Sequence, residues 1–115
     1  MRRGALGLLI ACVIAVPAKG TISFASANDA KLLAYGRHLS GECAACHRPE
    51  GAAAGIPSIA GRDAQELIST IGLYRSGERK NAAMVSVAQS LDDEQIKALA
   101  TYFASLPKAK GAASQ

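Results

Sequence analysis

The sequence predicts an all-α domain of three main helices joined by long loops. Two observations carry that expectation. Apolar residues recur three and four apart in three separate stretches, each bracketed by capping residues, glycine or proline. No stretch of useful length alternates apolar and polar side chains as a half-buried strand does. At 115 residues the chain makes one small domain, and its lack of Trp, with only three Tyr and two Phe, leaves little for a large aromatic core.

The first helix is expected to start at a cap on Asn28 or Asp29 and run to about Leu39. Leu32, Tyr35 and Leu39 share one face with Gly36, whose presence inside a helix suits a close helix contact. Gly41 to Gly61 reads as a loop, rich in glycine and broken by Pro49 and Pro57, with the Cys43–His47 segment opening it as one helical turn. Asp63-Ala-Gln-Glu66 has the form of a capping box. Leu67, Ile71 and Tyr74 then make a helical stripe that Gly77 stops. Gly77 to Ala83 reads as a polar, basic loop, and Met84 to Gln89 as a short helix. The last helix has Asp92 as N-cap, Gln95 three residues on and a Leu91–Ile96 staple. Ile96, Leu99 (or Ala100), Phe103 and Leu106 follow at helical spacing, and Pro107 ends it. Residues 28–107 form the domain, and Lys108 to Gln115 reads as a disordered tail.

Residues 1–27 read as a cleaved signal peptide: Arg2 and Arg3, an apolar run from Ala5 to Val16, then small residues ending at Ala25-Ser26-Ala27. The run is too short to span a bilayer, so no membrane span is expected after cleavage. Cleavage is expected after Ala27, with Ala18 as the second candidate. Leu9-Ile10-Ala11-Cys12 also has the form of a lipoprotein box, but the apolar run continues past it, which argues against an anchor through Cys12. The formal charge of +4 owes three positive charges to Arg2, Arg3 and Lys19. The mature domain is near neutral and shows no basic stripe, which excludes nucleic acid as the expected partner. Cleavage also leaves Cys43 and Cys46 as the only cysteines and Met84 as the only methionine.

Cys43-Ala-Ala-Cys46-His47 is a covalent haem c attachment sequence. Two thiols spaced by two residues reach the two vinyl groups on one haem edge, and the next residue carries an imidazole under the iron. A thioredoxin-type redox pair needs alternating strands and helices, which are missing. A zinc site needs two further ligands, and the mature domain offers one other His, His38. A Cys43–Cys46 disulfide would stabilise little across so short a loop. Met84 is the expected second iron ligand, because thioether is the usual partner of histidine in electron-carrying haem proteins. His38 is the rival, and its place on the first helix marks it as a surface residue.

The arrangement resembles class I c-type cytochromes, more closely the single domains of c-four-type dihaem cytochromes. It is also similar to the haem subunit of flavocytochrome c sulfide dehydrogenase. The resemblance spans Ala30 to Leu106. It implies that Gly36 packs against Tyr102 or Phe103, and that Pro57-Ser-Ile59-Ala-Gly61 brings the Pro57 carbonyl to the His47 ring N–H. It also implies that Tyr74 to Met84 is the ligand loop; Arg79 and Asn81 in it are either propionate partners or part of an ordinary solvated loop. The chain departs from c-four-type proteins in having one such domain, and from mitochondrial cytochromes in lacking Trp.

The expected function is a periplasmic monohaem electron carrier, not an enzyme, exchanging single electrons with redox proteins such as a flavoprotein or a terminal oxidase. A haem subunit of a flavin-dependent sulfide dehydrogenase is the alternative. An open-iron haem enzyme or gas sensor would require that Met84 not bind. Ile56, Ile59, Leu67, Ile71, Val85 and Leu99 are expected to enclose the haem.

Overall fold

The computed structural model describes residues 24–48 and 55–109. Four helices carry the chain: α1 (Phe24–Cys46), α2 (Ala64–Arg75), α3 (Ala82–Ser90) and α4 (Asp93–Ser105). The basic and apolar leader segment, Cys12, the cleavage site at Ala18, Pro49 and residues 110–115 lie outside the described residues.

Helix α1 departs most from the sequence expectation. It begins before Asn28 and Asp29, which lie inside it, and it runs through Gly41 to Cys46. The cysteine pair is therefore its last turn and not the opening of a loop. Gly41 costs such a helix about 1 kcal/mol, but Glu42, Ala44 and Ala45 are good helix formers, and the His47 N–H continues the ladder onto the Cys43 carbonyl at 2.8 Å. The expected cut after Ala27 falls in the first turn of α1.

Helices α2 to α4 start where capping chemistry places them. Asp63 accepts from the Glu66 N–H at 3.0 Å. The reciprocal half of that expected box is replaced, because Glu66 pairs with Arg62 at 3.1 Å. Helix α2 ends on Ser76, and Gly77 at φ +79° turns the chain away, as the left-handed region requires. Asn81 caps α3 by accepting from the Met84 N–H at 3.0 Å, so this helix starts two residues earlier than expected. Asp92 and Gln95 form a complete capping box at the start of α4.

Packing follows from one helix. α4 buries Ile96, Ala98, Leu99, Ala100 and Phe103, and Leu67 of α2 joins Leu99, Ala100 and Phe103 in the core. Among the described residues α1 packs on α4, α2 packs on both α3 and α4, and α1 and α3 do not touch. Gly36 makes the α1–α4 crossing possible: a Cβ there would lie 2.7 Å from Tyr102 Cβ and within clashing distance of the Ala98 carbonyl. Of the two aromatic candidates, Tyr102 is the one against Gly36, while Phe103 faces the core. Lys108, expected in the tail, packs over Gly61. No helix among the described residues is long and apolar enough to cross a membrane.

Candidate functional site

His47 directly follows the last turn of α1 and is half-buried. Its Nδ1 lies 2.7 Å from the Pro57 carbonyl oxygen. A carbonyl only accepts, so Nδ1 carries the proton and donates. Nε2 is left with its lone pair free, which is the form that binds a metal. The bond expected from the resemblance is thus present and fixes both tautomer and ring orientation.

The thiols stand one turn apart on the same helix end. Cys43 is half-buried against the core, and Cys46 is exposed. Burial pushes the Cys43 thiol above its usual range, the neighbouring Glu42 carboxylate adds to the rise, and a backbone hydrogen bond partly offsets it. A neutral thioether loses nothing by such burial.

Met84 is half-buried in the first turn of α3, where Asn81 anchors its backbone. His47 follows α1 and Met84 lies in α3, two helices that do not touch and are connected through α4 and α2. Arg79 places its guanidinium over the Tyr74 ring, 4.9 Å from the centroid, and the Asn81 side-chain oxygen is engaged in capping α3. His38 is exposed on α1. Of the expected enclosing residues, Leu67 and Leu99 are core, and Ile59 packs against them. Ile71 and Val85 are half-buried, and Ile56 is 36% exposed.

This donor set fits a haem: two thiols on one helical turn, an imidazole with Nε2 free, and a thioether on a separate element beside half-buried apolar side chains. Two residues beside the Pro57 turn carry no sequence motif. Ser58 is buried and accepts from the Ala60 N–H at 3.4 Å. Lys108 gave no signal in a stretch of small and polar residues.

A family model described as cytochrome C oxidase, cbb3-type, subunit III matches residues 30–103, more than half of the chain. Cytochrome c-554(548) of Halomonas halodenitrificans is 40% identical over 77 residues, which are 63% of this chain and 93% of that protein. The chain belongs to the class I c-type cytochromes. The crystal structure of reduced recombinant cytochrome c4 from Pseudomonas stutzeri superposes with a TM-score of 0.61 at 29% identity, covering 68% of this chain and 50% of that one. A thiosulfate dehydrogenase electron acceptor of Stutzerimonas stutzeri is 39% identical over 70 residues, 56% of this chain. The chain spans only 32% of that relative's length. As a class I c-type cytochrome the protein carries one covalent haem c through Cys43 and Cys46, and is an electron carrier rather than an enzyme.

Proposed function

We propose that this cytochrome is a periplasmic shuttle that takes single electrons from a dehydrogenase-type donor protein and passes them to a second redox protein by outer-sphere transfer. The observation that carries the reading is the 2.7 Å bond from His47 Nδ1 to the Pro57 carbonyl, which holds the imidazole in its metal-binding form before any partner arrives. Bound haem supplies the one-electron ferric–ferrous couple. Cys43 and Cys46 would tether it, His47 and Met84 would hold its iron and leave no open site for small ligands, and the apolar side chains of Leu67, Leu99 and Ile59 would help exclude water. A thioether opposite imidazole favours the ferrous state and raises the reduction potential. Partners would dock briefly, through a small interface beside Cys43 and exposed Cys46.

Location and donor class have separate supports. The Arg2–Ala27 segment has signal-peptide layout, and haem c attachment in bacteria takes place outside the cytoplasm. Two relatives are named thiosulfate dehydrogenase electron acceptors, which favours a donor that oxidises a small inorganic sulfur compound.

The test compares the holoprotein with Met84→Ala, both exported from a haem-maturation-competent host. The oxidised wild type should show the near-infrared iron–sulfur band. The variant should lose it, bind carbon monoxide when reduced and have a lower potential. A colourless product with free thiols, or a variant with an unchanged spectrum, refutes the site. Isolation in a stable complex with a flavoprotein, instead of as a free monomer, would replace the shuttle by a subunit role.

A further inference from the structure

The Pro57 carbonyl can orient His47 only if the turn that carries it is itself held. Residues 57–61 are fixed from two sides. Within the turn, the Ala60 N–H donates to the buried Ser58 hydroxyl at 3.4 Å. At its far end, the Gly61 N–H donates to the Phe103 carbonyl at 2.8 Å. Phe103 lies in the last turn of α4, where carbonyls lack helical partners, and its oxygen also accepts from the Leu106 N–H at 3.2 Å. One carbonyl thus joins the turn to the end of the last helix.

Lys108 completes the arrangement. After Pro107 the chain folds back across Gly61, so closely that a Cβ at Gly61 would lie 2.7 Å from both Lys108 N and Cγ and 2.8 Å from its Cα. Gly61 also has φ +69°, a conformation that side-chain-bearing residues rarely adopt. Two of these three atoms, Lys108 N and Cα, are backbone, so no side-chain rotamer of Lys108 opens the gap.

We propose that Lys108, seated on Gly61, is a positioning residue for the axial histidine: it clasps the 57–61 turn against α4 and so sets the strength of the His47–Pro57 hydrogen bond. The proposal rests on His47 holding the iron. A firm ring N–H to carbonyl bond makes the imidazole a stronger donor and favours ferric iron. Releasing the clasp lets the carbonyl drift, weakens the bond and moves the midpoint potential upward.

Three holoproteins test this: the full chain, a chain ended after Ala109 and a chain ended after Leu106. Midpoint potential and exchange of the His47 ring N–H are measured on each. The chain ended after Ala109 should match the full chain in both. The chain ended after Leu106 should show a positive potential shift and ring N–H exchange roughly tenfold faster, as a weakened hydrogen bond implies. Should that shortened chain not mature, a chain ended after Pro107, which loses Lys108 and Ala109 but keeps the turn before them, decides, with the same directions expected. Equal values in all proteins overturn the proposal, as do equal shifts in both shortened chains, which would assign the effect to residues past Ala109. Throughout, the iron–sulfur band of the full chain reports separately on whether His47 and Met84 hold the iron.

Discussion

Placing a methyl group on Gly36 perturbs the α1–α4 crossing at its closest point. The new Cβ would press on the Ala98 carbonyl carbon at 2.6 Å and on Tyr102 Cβ at 2.7 Å, with the carbonyl oxygen closer still. Two of these atoms are helix backbone, so no rotamer change relieves them. To restore ordinary contact, α1 must move away from α4 by about 1 Å, enough to lose part of the packing of Leu39 and Cys43 against the core. Overpacking of this kind costs about 1–3 kcal/mol, and more where backbone must shift. Alanine gains back up to about 1 kcal/mol as the better helix former. α1 has no other helix to lean on among the described residues, so the cost lies near the top of that range, about 3 kcal/mol, and the net loss for Gly36→Ala after the alanine gain is about 2 kcal/mol. For a domain of this size that lowers the melting temperature by roughly 8–16 °C. Thermal unfolding of the holoprotein by far-UV circular dichroism measures it. A variant melting within about 2 °C of the wild type would show that the crossing is looser than the geometry says.

Other substitutions separate capping, backbone and charge effects. Asp92→Ala removes one half of the α4 capping box and should cost about 1 kcal/mol in denaturant unfolding, with Asp92→Asn retaining most of the stability. Gly77→Ala places a side chain at φ +79° in open space. Its expected loss of about 1 kcal/mol is therefore backbone strain alone, and equal stability by thermal melt would contradict the left-handed turn. Asp93→Asn breaks the 2.7 Å pair with Arg75. Because Asp93 is almost wholly exposed, stability measured in moderate salt should change by under about 0.5 kcal/mol.

The haem attachment residues were legible because they are local. Cys43, Cys46 and His47 lie within five residues, so covalent geometry alone relates them, and Met84 followed from being the one thioether left to a haem that needs a second ligand. The caps at Asp63 and Asp92 were legible for the same reason, since each hydrogen bond closes within three residues. The continuation of α1 through Gly41 was not, because propensity weighs one glycine against its neighbours and cannot weigh the packing of Leu39 and Cys43 on α4.

By itself, then, the sequence determined the all-α class, the haem-binding triad, the helix starts at Asp63 and Asp92 and the need for a close contact at Gly36. Tertiary structure alone decided that Tyr102 and not Phe103 meets Gly36, and that Lys108 folds back over Gly61. These contacts join residues through space or choose between equivalent local options, and their energies depend on how α1 and α4 cross and where α4 ends. No spacing rule along the chain encodes a distance that only the packed helices define.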